Sequence, residues 1–374
     1  MKQISGNSQI NSLTGFRWLA ALLVFISHFA PPLSFFQSGP PSAFIANGHI
    51  GVTAFFVLSG FILTVTYVRT LNVLNPKSVW KYAVSRVARI YPLYIFCLIV
   101  IVLQSTVTGQ SISQILILQH LLAIQTWSPD ASIAFSINSP AWSVGVEFFL
   151  YACFPFLLLM LRSFLRSFRG SVAVFCFGLA FTFVWWVMVI MNGQGDLPTF
   201  DPNSAHRWLY RFPVSRLGDF IQGMGLAGAF LNYDWKLLSQ KVLALCSSIS
   251  LLLILFLMSL ENCVNSAASW DLLFVFPIGI FILSLAVAPN SLISSFLSSR
   301  TSIKLGEWSF AFYLIHVPIG NILIGIPNYE VDTLWATTWW ISILVILVAI
   351  SFGLHVLIER PCRTLIRKYL IGSN

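Results

Sequence analysis

Charged residues are scarce in this chain: only 9% of its 374 residues are Asp, Glu, Lys or Arg, against about 25% in a typical soluble domain. The sequence also lacks a P-loop, a glycine-rich dinucleotide-binding pattern and a G-x-S-x-G elbow, so the motifs of common soluble enzymes are missing. Its six cysteines are scattered without the spacing of metal ligands. We therefore expect the cysteines to be packing residues and no metal to be bound.

Apolar and aromatic residues dominate instead. Hydrophobic residues make up 57% of the chain, and the aromatic share is 15%, with 33 Phe and 13 Trp. Apolar runs of roughly 20 residues, the length that spans the hydrocarbon core as a helix, recur throughout. They are continuous and do not alternate, which argues against a membrane β-barrel. The sequence predicts an all-α, polytopic membrane helix bundle that forms one domain over residues 1–374. Its ten predicted spans are 14–37, 49–70, 83–106, 141–161, 171–192, 214–232, 242–260, 269–288, 305–327 and 335–358.

The distribution of cations predicts the orientation, because Lys and Arg collect in cytoplasmic loops. Of the 21 Lys and Arg residues, 17 precede the first span, follow the last or fall in every second connection, so both termini are predicted to be cytoplasmic. The opposite connections carry acids: Asp130, Asp196, Asp201, Glu261, Glu330 and Asp332. The net charge of +9 therefore reflects membrane topology and gives no indication of a nucleic-acid partner. The first span has no cleavage pattern of a signal peptide, and we expect it to stay in the protein.

Two ionisable residues interrupt the first apolar run, GFRWLAALLVFISHF (15–29). Arg17 and His28 are eleven positions apart, three helical turns plus about 20°, so they share one helix face roughly 16 Å apart. Depth counting places His28 about halfway through a hydrocarbon core of about 30 Å. A simple alternative is that Arg17 snorkels to the headgroups and His28 is an interior histidine. Ionisable groups within membrane spans are usually functional, however, and the pair favours a site.

Two further polar islands reach a similar depth. Glu147, in PAWSVGVEFFLY (140–151), lies roughly 10 Å from the outer end of the fourth span. An unpaired carboxylate there would cost several kcal/mol, so a partner is expected, and His28 is the nearest candidate in depth. LGEWSFAFYLIHVP (305–318) carries His316 near mid-membrane, with Tyr313 one turn below it. An interhelical hydrogen bond is an equal alternative for His316.

Two pairs of arginines lie at opposite faces. Arg86 and Arg89 are one turn apart at the cytoplasmic entrance of the third span, where an orienting role and a ligand-binding role are both open. Arg211 and Arg216, with Asp219, lie at the outer entrance of the sixth span, against the usual placement of cations. The outer pair therefore favours a ligand or ion-pair role.

Taken in order, these blocks resemble the membrane-bound acyltransferase-3 family, which includes bacterial O-acetyltransferases of surface polysaccharides. The resemblance covers nearly the whole chain. It is carried by Arg17-x10-His28, GHIGVTAFFVLSGFIL (48–63), Arg86-x-x-Arg89-Ile-Tyr-Pro-x-Tyr, the WSVGVE block ending at Glu147, Arg211-Phe-Pro-x-x-Arg216, LGEWSFAFYLIHVP and the closing IERP at 358–361. Trp18 stands where the family often has Gly. Phe148 stands where many members have a second acid, and this second departure suggests a subgroup with a different acceptor. Many relatives carry an extra hydrolase-like domain, which we do not expect in a chain of this length.

The resemblance implies transfer of an acyl group, most often acetyl, from cytoplasmic acyl-CoA to a hydroxyl of an extracytoplasmic glycan or lipid-linked saccharide. Acetyl-CoA would be the cosubstrate, and no metal would be bound. The protein would lie in the bacterial cytoplasmic membrane, in contact with its lipid. The implied roles are donor binding by Arg17, Arg86 and Arg89, catalysis by His28 and Glu147, and acceptor binding by Arg211, Arg216, Tyr313 and His316. Guanidinium groups bind phosphates through paired hydrogen bonds. The imidazole of His28 titrates near neutral pH and can act as a general base, which Glu147 would orient. A transient acyl-His28 intermediate is an equal possibility.

Two other classes of protein are compatible with parts of the sequence. A proton-coupled transporter would also place His and Glu in mid-membrane. The chain shows no inverted repeat and no matching pair of broken helices, which many transporters have. A structural membrane protein would leave the buried His, Glu and Arg residues unexplained. The sequence therefore favours the enzyme.

Overall fold

The computed structural model describes residues 10–325 and 333–372, and within these ranges the chain forms helices and no β-strand. Three residues that entered the topology prediction, Lys2, Glu330 and Asp332, lie outside the described residues, as do the last two positions of the predicted span 305–327. The long helices are α1 (Asn11–His28), α2 (Ile50–Tyr67), α3 (Pro76–Val107), α4 (Trp142–Leu161), α5 (Phe168–Met191), α6 (Leu217–Asn232), α7 (Gln240–Met258), α8 (Leu272–Val287), α9 (Arg300–Ile324), α10 (Thr333–Leu354) and α11 (Arg360–Ile371).

The predicted polytopic helix bundle is confirmed. Each of the ten predicted spans overlaps one of the helices α1 to α10. Across the described ranges, seven helices are long and apolar enough to cross a membrane, and α8 is a shorter apolar helix. A π-helical turn, His355–Glu359, joins α10 to α11. Helices are stable in a lipid bilayer because their backbone N–H and C=O groups form hydrogen bonds with each other within the segment.

The first predicted span is too long. It was expected to reach residue 37, but α1 ends at His28, and the chain continues through a 3₁₀ turn and the short helix Gly39–Ala46. The physical reason is the Pro31–Pro32 pair, because proline has no backbone N–H and disfavours helical geometry in the residue before it. His28 is therefore the last residue of its helix and does not lie halfway along a span.

Glycines let α2 and α6 cross closely near the centre of the bundle. A Cβ atom at Gly60 would lie 2.0 Å from the carbonyl oxygen of Phe220, and one at Gly223 would lie 2.0 Å from that of Val57. Such contacts between small residues are typical of helix packing in membranes. Helices α1, α2, α3, α4 and α9 enclose a polar cavity beside this crossing.

Candidate functional site

A cavity of about 460 Å³ opens among α1, α2, α3, α4 and α9. Its lining includes four guanidinium groups, from Arg17, Arg69, Arg86 and Arg89, and the carboxylate of Glu147. No carboxylate of the described residues lies within ion-pair distance of any of these four arginines. The cavity therefore has excess positive charge and suits an anionic ligand.

The predicted convergence of Arg17, Arg86 and Arg89 is confirmed, since all three line this one cavity. Arg86 contacts two tyrosines. Its Nη2 atom donates a hydrogen bond of 3.2 Å to the hydroxyl oxygen of Tyr67, and its guanidinium lies 5.4 Å from the ring centre of Tyr67 and 5.8 Å from that of Tyr151. These contacts hold the guanidinium on the cavity wall without neutralising it.

Glu147 also lies on the wall of the cavity, on the first part of α4. Its Oε1 atom accepts hydrogen bonds from Ser59 Oγ at 3.2 Å and from the hydroxyl of Tyr151, one helical turn along α4. The predicted contact with His28 is wrong: among the residues that the structure describes, the ion-pair and hydrogen-bond partners of Glu147 do not include His28. A tyrosine and a serine supply the polar partners that burial of the carboxylate requires.

His28 meets another histidine instead. Its Nδ1 atom lies 2.8 Å from the carbonyl oxygen of Val24 and 3.3 Å from Nε2 of His316, on α9. The Nδ1 atom of His316 lies 2.6 Å from the carbonyl oxygen of Tyr313. His316 is fully buried, whereas His28 is exposed. This confirms an interhelical contact for His316, and its predicted contact with a substrate would require the helices to move.

Tyr313 lies between the histidine pair and the cavity. Its side chain lines the cavity, and its hydroxyl accepts a hydrogen bond of 2.9 Å from Ser143 Oγ. Its ring centre lies 5.6 Å from that of His316. The part of the cavity that Tyr313 lines is therefore next to His316, which contacts His28.

The two outer arginines are buried and have protein partners. Arg216 lies 2.6 Å from a carboxylate oxygen of Asp219 and 3.2 Å from one of Asp271, and it donates to Thr53 Oγ1 at 2.7 Å. Arg211 donates to the carbonyl oxygens of Ser128 and Pro129, at 2.7 and 2.6 Å. The ion-pair alternative is confirmed for Arg216. Both side chains are buried, so neither guanidinium is accessible to an acceptor substrate in this structure.

Sequence reasoning missed several residues of the site. Arg69 was counted only as a topogenic cation, and Tyr67, Tyr151 and Ser59 carried no signal beyond their polarity within apolar spans. Asp271 stands alone at the start of α8, so nothing in the sequence joins it to Arg216. The described part of the chain contains no group of three or more His, Cys, Asp or Glu residues that could hold a metal ion.

Known proteins match nearly the whole of this chain, and one of those named here is also similar to it in length. Residues 10–357 match the family model described as "Acyltransferase domain". The chain is 28% identical to the acyltransferase MdmB of Streptomyces mycarofaciens, and the match covers 96% of this chain and 92% of that protein. It is 24% identical to the peptidoglycan O-acetyltransferase OatA of Listeria monocytogenes, over 95% of this chain but only 56% of OatA. No solved structure matches the chain.

Proposed function

The chain belongs to the membrane-bound acyltransferase-3 family and is an acyltransferase, and on that premise we propose that it moves an acetyl group from cytoplasmic acetyl-CoA to a hydroxyl of an extracytoplasmic glycan. The observation that carries the proposal is the cavity with four arginines, which have no ion-pair partner within residues 10–325 and 333–372. Coenzyme A carries a diphosphate and a further phosphate, and guanidinium groups bind phosphate through paired hydrogen bonds. The name of OatA supports a glycan hydroxyl as the acceptor.

The donor would enter from the side that the cation distribution assigns to the cytoplasm. Arg69 follows α2, and Arg86 and Arg89 lie in the first half of α3, so we assign these three lining cations to the mouth of the cavity. Arg17, in the second turn of α1, is the fourth cation of the lining. We assign the phosphates of the donor to these four residues, with the pantetheine arm pointing toward Ser143 and Tyr313. Glu147 would then contact the thioester end of the donor.

His28 is our candidate general base. It would accept the proton of the acceptor hydroxyl while the hydroxyl oxygen attacks the thioester carbonyl; the C–S bond breaks, and the leaving thiolate of coenzyme A takes up a proton. A route through an acyl-His28 intermediate, which the acceptor then attacks, conserves the same atoms. Because Arg211 and Arg216 are buried, we assign them a structural role in shaping the outer loops around the acceptor.

Membrane vesicles of opposite orientation test the proposal. Inverted vesicles from cells that make the protein present the cytoplasmic face to the medium, and right-side-out vesicles present the outer face. Radiolabelled acetyl-CoA should yield alkali-labile, ester-linked label on glycan with inverted vesicles only, and vesicles with His28→Ala provide the matched control. Labelling of right-side-out vesicles alone would place the donor site on the outside. Absence of labelling from both would refute the transfer reaction.

A further inference from the structure

The proton on the His28 ring can be located from its neighbours. A carbonyl oxygen can only accept a hydrogen bond, and that of Val24 lies 2.8 Å from Nδ1 of His28. Nδ1 therefore carries the hydrogen. In the neutral ring, Nε2 of His28 then has the lone pair, which is the form that a general base needs.

The same reasoning locates the proton on His316. Its Nδ1 atom lies 2.6 Å from the carbonyl oxygen of Tyr313 and must be the donor there. The lone pair of the neutral His316 ring is therefore on Nε2, which faces Nδ1 of His28 at 3.3 Å. The Nδ1–H group of His28 is shared between two acceptors, one on its own helix and one on α9.

Packing fixes the ring of His316, and two polar contacts, to Val24 and to His316, hold the exposed ring of His28. The side chain of His316 is 0% exposed and lies parallel to Phe312, with ring centres 6.2 Å apart and an interplanar angle of 11°. The end of α1 is held by Trp340, whose Nε1 donates to the carbonyl oxygen of Phe29 at 2.9 Å. Rotation of the His28 ring would break both contacts of its Nδ1 atom, with the carbonyl oxygen of Val24 and with Nε2 of His316.

We propose that His316 is a positioning residue, which holds His28 as the Nδ1–H tautomer with Nε2 directed to the acceptor and accepts a hydrogen bond from the imidazolium as it forms. This role rests on the proposed acyl transfer. In serine hydrolases a buried carboxylate orients the histidine; here a carbonyl and a neutral imidazole take its place. The C-terminal end of α1 adds partial negative charge beside the ring, which favours an imidazolium.

Two substitutions at His316 separate positioning from packing. His316→Gln can keep an acceptor near the position of Nε2, whereas His316→Phe keeps the ring shape but has no acceptor. In inverted vesicles with labelled acetyl-CoA, His316→Phe should lower the saturated rate about tenfold, the usual effect of losing a hydrogen bond to a charged group. The concentration of acetyl-CoA that gives half the rate should not change, because His316 does not line the donor cavity. His316→Gln should stay within about threefold of the wild-type rate.

Nitrogen-15 NMR of histidine-labelled protein in lipid nanodiscs provides a readout that does not require turnover. The His28 signals, identified by their loss in His28→Gln, should show a protonated Nδ1 and a bare Nε2. A proton on Nε2 of His28, or equal rates for His316→Phe and wild type, would overturn the positioning role. If no variant and no wild-type sample transfers label, the acyl-transfer proposal fails instead, and the NMR result still decides the tautomer.

Discussion

Nη2 of Arg86, which lines the cavity, lies 3.2 Å from the hydroxyl oxygen of Tyr67, on a different helix. The hydroxyl of Tyr67 orients the guanidinium, and its ring lies 5.4 Å from the guanidinium carbon. Tyr67→Phe removes the hydrogen bond and keeps the ring. We expect the Kd for acetyl-CoA to rise about fivefold, which corresponds to one hydrogen bond. Titration calorimetry measures it, and Tyr369→Phe, at an exposed tyrosine of α11, is the control that should not change the Kd.

Donor binding should depend on the inner arginines and not on the outer ones. Arg86→Ala combined with Arg89→Ala should weaken binding of a CoA analogue at least about tenfold, or 1.4 kcal/mol, because charge-assisted phosphate contacts are lost. Arg211→Ala should bind the analogue normally while glycan acylation falls, since Arg211 holds an outer loop through Ser128 and Pro129. Arg166→Ala combined with Arg169→Ala removes the same two charges from residues that do not line the cavity, and it controls for net charge. Loss of binding in folded Arg211→Ala would invert the proposed topology.

Catalysis should require His28 without requiring it for donor binding. His28→Ala is expected to insert and fold, to bind the CoA analogue as the wild type does, and to lose glycan acylation by a factor of at least about 10², the scale of general-base catalysis. A thermal melt checks folding, and ester-linked acetate on the glycan measures the product. Near-normal acylation by this variant would assign the base to another residue.

Arg216 should be a stability residue. It is fully buried and lies between Asp219 and Asp271, so Arg216→Ala leaves two buried carboxylates without their cation. Breaking a buried pair in this way typically costs about 3–5 kcal/mol. We expect a clearly lower melting temperature in detergent, with a much smaller change for Arg207→Ala, whose guanidinium makes an exposed contact with the carbonyl oxygen of Pro202. Equal melting temperatures for the two variants would contradict this role.

The crossing of α2 and α6 provides a test of packing. Gly60→Ala would place a Cβ atom 2.0 Å from the carbonyl oxygen of Phe220, so the helices must separate and the protein should lose stability. Gly353→Ala in α10 is the matched control, because a Cβ atom there meets nothing within 4 Å. The melting temperature should fall for Gly60→Ala and stay the same or rise for Gly353→Ala.

The sequence by itself determined the helices and the kind of chemistry. Hydrocarbon thickness fixes the length of a spanning helix, and the cost of burying charge makes each polar residue within an apolar run informative. This is why a helix at each of the ten positions, and the grouping of Arg17, Arg86 and Arg89, could be predicted. The one span that was clearly misjudged, the first, depended on Pro31 and Pro32, a local signal that hydrophobicity obscured.

Only the tertiary structure decided which polar side chains meet. Helical rise gives the depth of a residue, but the neighbour that a helix face meets depends on packing between segments far apart in the chain. Glu147 and His28 were expected to pair because their depths were similar, yet Glu147 bonds to Ser59 and Tyr151. His28 contacts His316, 288 residues away, because α1 packs along α9. The same long-range packing brings Asp271 to Arg216, a pairing that no local pattern encodes.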